Sequence, residues 1–228
     1  MKVAIIKYNA GNVYSVYYAL KRLGVEAELT DDKAILSSAD KVIFPGVGEA
    51  ETTMQYLRNH QLDKLIQSLK QPVLGICLGM QIAVIEFARH VCGLEDANSG
   101  EFNEYSTNKV IDFMPGQNDE INKGGTLRLG AYPCKIRKGT VLQQWYGKDL
   151  ISERHRHRYE FNNDYKELFE ENGLVIGGTS PDGFIVETVE LPKLKYYVGV
   201  QFHPEFKSRP NKPHPLFLGL IKNSFKGQ

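Results

Sequence analysis

The run PVLGICLGMQIAVIEFA, residues 72–88, constrains the fold more than any other stretch of the chain. Pro72 to Ile76 is short and apolar, the pattern of a buried strand, and from Leu78 to Ala88 apolar residues recur at helical spacing. Cys77 alone stands between the two, with Gly75 and Gly79 two positions to either side. Glycines at those places permit a tight strand-to-helix turn that presents the central side chain in a crowded position. A strand that turns at once into a helix is the repeating unit of an α/β sheet, and it sets Cys77 at the carboxyl end of a strand, where such sheets hold their sites.

The preceding segments repeat that unit. Val3 to Ile6 reads as a strand, Val13 to Leu23 as a helix with Asn12 as N-cap, Val25 to Leu29 as a second strand and Lys41 to Phe44 as a third. The third runs into Pro45, Gly46, Val47 and Gly48, after which Thr52 to Leu57 and Leu62 to Leu69 read as helices. Asn98 to Asn118 is polar and broken. Beyond it, Ala131 to Ile136 and Ser152 to Phe161 fit an antiparallel extension, Tyr165 to Glu171 a helix, Gly183 to Val189 and Tyr196 to Gln201 strands, and Pro215 to Phe225 the last helix. No repeat or low-complexity linker divides the 228 residues, so one domain over 1–228 is expected. The fold class expected is α/β, a central mostly parallel sheet flanked by helices with a small antiparallel extension.

Composition narrows the function. A formal charge of +1 argues against a general nucleic-acid-binding surface. The local basic run Arg154, His155, Arg156, His157, Arg158 reads in isolation as a solvated edge or an ion-pairing strand. Three cysteines without close metal spacing give neither a disulfide scaffold nor a zinc site, and no metal or cofactor is expected. The opening MKVAIIKY has only a short apolar run before Asn9 and Asn12, so no signal peptide or membrane span is expected, and the cytoplasm is the expected location.

The chemistry follows from Cys77. The helix after it aims its amino end at the sulfur, which favours thiolate, and supplies backbone donors for charge developing on a substrate oxygen. A buried, inert cysteine is the alternative; Cys92 and Cys134 lack this setting and keep that reading. A thiol nucleophile needs a base, and His203 stands just past an apolar strand in Gln201, Phe202, His203, Pro204, Glu205. Its imidazole is suited to accept the thiol proton and return it to a leaving group, with Glu205 holding the ring's tautomer.

GICLGMQ, residues 75–81, joined to QFHPEF, residues 201–206, resembles the class I glutamine amidotransferases over nearly the whole chain. The resemblance implies a triad of Cys77, His203 and Glu205, and hydrolysis of L-glutamine to glutamate and ammonia. Its two parts differ. Residues 1–81, with KYNAGN, SVYYALKRLGV and PGVG, resemble the glutaminase subunit of imidazole glycerol phosphate synthase. Residues 83–228, with VIEFARHVCGLEDANSGEF, GGTLRLG, ERHRHRYE, GGTSPDG and QFHPEFKSRPNKPHPLF, resemble the glutaminase domain of CTP synthase. A change of resemblance at one place reads either as a recombinant or engineered chimera joined near residues 75–83 or as a divergent natural enzyme, with deliberate construction the favoured reading.

The first resemblance implies an oxyanion site at Gly46 and Val47, completed by the amide of Leu78. The second implies that Gln81 and Glu101 receive the backbone of glutamine, with Glu101 on its ammonium. It also implies that Arg158 pairs with the α-carboxylate and that Tyr159 places the same loop. The segment Gly46, Val47, Gly48, Glu49 departs from the Gly-Phe-Gly arrangement usual in CTP synthase, and the nucleotide machinery of that enzyme is absent, so complete CTP synthase activity is not expected. The partner implied is a cyclase or another ammonia-accepting synthase. Two other functions are compatible with the motifs: a folded hybrid or partner-binding scaffold with little glutaminase activity, and hydrolysis of a related γ-glutamyl amide.

Overall fold

The computed structural model describes residues 1–8, 13–46, 50–113, 128–194 and 196–222. Asn12, Val47 and the first residues of GGTLRLG lie outside them. In chain order the strands are β1 Val3–Ile6, β2 Ala27–Thr30, β3 Lys41–Phe44, β4 Val73–Ile76, β5 Asn98–Ser99, β6 Lys109–Phe113, β7 Arg128–Ile136, β8 Leu150–His157, β9 Tyr159–Phe161, β10 Val175–Thr179, β11 Val186–Glu190 and β12 Tyr197–Val200. The helices are α1 Val13–Lys21, α2 Lys33–Ser38, α3 Ala50–Asn59, α4 Leu62–Ser68, α5 Leu78–His90, α6 Val141–Tyr146, α7 Lys166–Glu171 and α8 Pro215–Lys222.

Among the described residues, nine strands form one sheet in the order β2-β1-β3-β4-β12-β11-β10-β7-β8. The first five run parallel and the remaining four add on antiparallel, so the expected fold class is the one observed. A second sheet, β5-β6-β9, lies apart from it. Val16, Leu20, Leu142, Leu216, Phe217 and Leu220 from α1, α6 and α8 pack on one side of the large sheet, and Leu36, Leu57, Leu62 and Ile66 from α2, α3 and α4 form a second cluster.

Helix α5 is buried at every residue from Leu78 to Ala88. Its Met80, Val84, Ile85 and Phe87 join Val110, Ile111 and Phe161 of the small sheet, while the same helix packs on β4 and β12 of the large one. A helix apolar all round belongs between two layers, and this position makes α5 the element that joins the sheets.

Several boundaries differ from the expectations for local reasons. The helix expected to reach Leu23 ends at Lys21, because Gly24 takes φ +72° and the amides of Leu23, Gly24 and Val25 fold back on carbonyls of α1. Val25 is thereby pinned under the helix end, and β2 starts at Ala27. Asp32 caps α2, an unforeseen helix, by accepting from the amides of Ala34 and Ile35. The stretch read as polar and broken from Asn98 contains β5 and β6. Ser152 to Phe161 is not one strand pair: the chain leaves the large sheet after His157 and enters the small one at Tyr159. The strand expected from Gly183 starts at Val186, since Gly183, at φ +80°, closes a turn from Ser180.

The packing of α5 on β3 leaves no room at Gly79, where a Cβ would lie 2.4 Å from the carbonyl oxygen of Phe44. Gly79→Ala is therefore expected to lower unfolding free energy by about 1–3 kcal/mol, the usual cost of overpacking. Urea denaturation checks this; an unchanged midpoint would show that the helix moves away freely.

Candidate active site

Strands β4 and β12 are parallel neighbours, with Ile76 opposite Val200, so the residues that follow each of them emerge side by side. Cys77 follows the first, and Gln201 to His203 follow the second. The amide of Cys77 donates to Val200 O at 2.6 Å, while Cys77 O accepts from Met80 at 2.9 Å and Gln81 at 3.1 Å. At φ 49°, ψ −105°, Cys77 is held in a conformation that L residues avoid. The flanking glycines are required by contact: a Cβ on Gly75 would lie 2.9 Å from Gly79 C. Gly46 packs on the same turn, where a Cβ would sit 1.9 Å from Ile76 O and 2.6 Å from Leu78 N. The loop after β3 and the first amide of α5, two of the residues named for the oxyanion, thus meet at the turn.

His203 and Glu205 are buried. His203 Nδ1 lies 2.7 Å from Glu205 Oε1, and its main-chain amide donates to Arg154 O of β8 at 2.8 Å, fixing the segment to the sheet edge. Phe206 stacks on the imidazole at 4.8 Å. Burial works against charge on this ring, but interaction with Cys77 and then with Glu205 prevails and raises its pKa to about 10. Nε2 itself is buried and, among the described residues, makes no hydrogen bond.

The remaining named residues meet at the passage between sheets. Arg158 is the single residue between β8 and β9, half-buried, with its Nε buried and without a hydrogen-bond partner among the described residues. Tyr159 stacks on Phe113 with centroids 4.5 Å apart. Gln81, in the first turn of α5, is buried and donates from Nε2 to Tyr159 O at 3.0 Å, so it stands behind the Arg158–Tyr159 turn. Glu101 is exposed and lines a cavity of about 600 Å³ shared with Asp112, Phe113 and Tyr159. Val47 lies outside the described residues.

The basic run splits by strand alternation. Arg154 and Arg156 face outward, whereas His155 and His157 face the interior with Glu153 and Ile151. His157 Nδ1 is 3.3 Å from Tyr159 O, and His155 Nδ1 is 2.8 Å from His157 Nε2. A carbonyl only accepts, so His157 donates from Nδ1, accepts at Nε2 from His155, and leaves His155 Nε2 bare opposite Glu187 Oε2 at 3.5 Å. Both rings are neutral: burial and then Arg128 bring His155 down to about 3, and burial with His155 beside it takes His157 well below its usual range. Arg128 bonds Glu187 at 2.7 Å and lies 3.5 Å from Glu160; burial pushes both carboxyls up. None of His155, His157, Arg128, Glu187 and Gln201 was singled out for a site role from sequence. Period-two reading of ERHRHRYE separates the histidines from the outward arginines, but nothing in the sequence pairs them with Glu187 or Arg128.

The chain matches the family model described as Glutamine amidotransferase class-I over residues 4–223. CTP synthases of Staphylococcus aureus strains JH9 and Newman are 48% identical over 210 residues, covering 89% of this chain and 38% of theirs. The chain therefore spans well under half the length of those relatives. An alignment of that extent is not confined to residues 83–228, so the likeness to CTP synthase reaches back before the turn at Cys77. The glutaminase domain of Trypanosoma brucei CTPS with bound acivicin superposes with a TM-score of 0.86 at 30% identity, covering 100% of this chain and 95% of that one. A crystal structure of a glutamine amidotransferase, 16% identical with a TM-score of 0.60 over 96% of this chain and 97% of its own, shares the fold. With a match to the family model over residues 4–223, the chain belongs to the class-I glutamine amidotransferase family.

Proposed function

We propose that the chain hydrolyses L-glutamine to glutamate and ammonia through a thioester on Cys77, and that the ammonia is passed to a synthase. One observation carries this reading: a strained cysteine at the end of β4 and a buried His203–Glu205 pair at the end of β12, close enough for the sulfur to help hold the ring's pKa at about 10.

A ring at that value carries its proton at neutral pH, so the resting pair is an imidazolium facing sulfur. Cys77 attacks the side-chain amide carbon of glutamine. The oxyanion forms where the Leu78 amide and the loop after β3 converge on the turn, and Val47 is proposed as the further donor. His203 then gives its proton to the amide nitrogen, which leaves as neutral ammonia as the C–N bond breaks and the oxyanion collapses to the thioester carbonyl; Glu205 holds Nδ1 throughout. Water attacks the thioester with the ring as base, releasing glutamate and restoring the thiolate.

Arg158 supplies directed donors for the α-carboxylate, consistent with its buried Nε, unpartnered among the described residues. Glu101 supplies negative charge for the ammonium, with Tyr159 on the same cavity wall. Gln81 is proposed to receive the backbone of glutamine, and it also fixes the Tyr159 carbonyl. Reading both ends of a free amino acid favours glutamine over a γ-glutamyl peptide.

The synthase is proposed from the relatives, of which the chain covers 38%. A CTP-forming synthase agrees with that likeness; the cyclase partner and the hybrid joined near residues 75–83 are supported by KYNAGN, SVYYALKRLGV and PGVG alone.

Steady-state glutaminase kinetics test the division of labour. Cys77→Ala is expected to abolish glutamate release. His203→Ala should lower kcat by about 100-fold or more with little change in KM, whereas Arg158→Ala should raise KM by about tenfold or more with kcat nearly intact. Matching profiles for the last two would contradict the assignment.

A pH series tests the histidine separately. Its folded value lies above the ordinary 6.5, so the stability it contributes is fully present below about pH 6.5 and is lost as pH rises through about 10. Urea unfolding should show wild type losing its advantage over His203→Ala across that window; a constant difference would mean that the ring is not charged in the folded protein.

A further inference from the structure

Gln201 is completely buried at the end of β12, beside the turn that carries Cys77. Its amide N–H donates to Glu187 O of β11 at 2.8 Å, so its backbone is fixed. Its side-chain Nε2 lies 3.6 Å from Cys77 Sγ, and its Oε1 lies 3.3 Å from Gln81 Nε2.

A carboxamide has two orientations related by a half-turn, and its neighbours decide between them. Here the decision is made at a group that cannot turn. The main-chain carbonyl of Tyr159 only accepts, so Gln81 must present its NH2 group at 3.0 Å. The same NH2 faces Gln201, which must answer with oxygen. The NH2 of Gln201 is then turned to the sulfur. His157 Nδ1, at 3.3 Å from the same carbonyl, holds the starting point from the side of β8.

We propose that Gln201 is a positioning residue for glutamine hydrolysis: its Nε2 donates a hydrogen bond to Sγ of Cys77, fixing the direction of the sulfur and stabilising it as the thiolate. This rests on Cys77 being the nucleophile. A buried glutamine that only fills space has no need of a donor on one side and an acceptor on the other, and this one has a donor-to-sulfur contact whose sense is set two residues away, at Tyr159 O. The charged partner of the same sulfur is His203, and the amino end of α5 is the third favourable group. The relay also joins the nucleophile to substrate recognition, because Tyr159 O is the carbonyl immediately after Arg158. A carboxylate that settles Arg158 settles that peptide, and with it the donor on the sulfur.

Two variants of the full chain separate positioning from packing. Gln201→Met keeps length and volume without a donor; Gln201→Glu keeps an oxygen for Gln81 without a donor. The rate of Cys77 alkylation by iodoacetamide is measured against pH, with the label located by peptide mass because Cys92 is partly accessible. In both variants the alkylation midpoint should rise by about one pH unit, and kcat for glutamine should fall by about tenfold with KM within about twofold. A folded variant whose midpoint equals that of wild type overturns the proposal, whatever its activity.

If neither variant folds, the side-chain amide resonances of Gln201 in 15N-labelled wild type decide the question. They should shift as the thiol of Cys77 ionises and shift again when it is alkylated; resonances unmoved by both overturn the proposal. Failure of wild type to release glutamate would count against the glutaminase reading alone, since the alkylation and resonance measurements use no glutamine.

Discussion

The site depends on a backbone held where it would not otherwise stay. Cys77 occupies φ 49°, ψ −105°, a conformation that costs a non-glycine residue about 1–3 kcal/mol. It is fixed from above by the bond to Val200 O and from below by the first turn of α5 closing on Cys77 O. Three backbone surfaces press on it: Phe44 O over Gly79, Gly46 against Ile76 O, and Gly75 against Gly79. None of β3, β4 and α5 can shift alone. The sulfur, the first amide of the helix and the loop after β3 therefore converge because the packing allows no alternative.

The second half of the site comes from a change of sheet. β8 closes the nine-stranded sheet and β9 belongs to the three-stranded one, with Arg158 between them. Helix α5 packs on both sheets, so the residue at the crossing is held close to the helix that begins at the turn. The crossing is pinned from two sides: His157 reaches Tyr159 O from β8, and Gln81 reaches it from α5. A long, flexible side chain such as arginine gains directionality only when its base is fixed, and these two contacts provide that.

Much of this was legible in the sequence, and the limit is physical. The strands at Val3–Ile6 and Lys41–Phe44 and the turn at Cys77 are set by local apolar runs and glycines, which a short window contains. His203 and Glu205 could be joined to Cys77 by motif, and the structure sets all three at the ends of adjacent strands. The second sheet was not visible, because β5 is only two residues long and β6 alternates weakly in a polar stretch. Nor was the split at Arg158. ERHRHRYEF reads as one strand until the partners are known, and those partners, β7 for one part and β6 for the other, lie elsewhere in the chain. Gln201 was quoted as part of a motif, but its orientation depends on a carbonyl at position 159 that no local pattern reveals.

Three buried histidines surround this region, and equal burial does not give them equal charge. Desolvation lowers all three, so the sign of the neighbours decides. Beyond burial, the guanidinium of Arg128 and the ring of His203 oppose positive charge on both His155 and His157, and His155 opposes it on His157 as well. His203 faces a carboxylate at 2.7 Å and a sulfur able to ionise, which favour it. The neutral pair can then serve as fixed donors and acceptors whose sense does not change near neutral pH, while His203 carries a proton available for transfer. In the proposed reaction, direction comes from two imidazoles and proton transfer from the third. A charge at position 155 or 157 would compete with Arg128 for Glu187 and Glu160, the carboxyls that lie beside the crossing at Arg158.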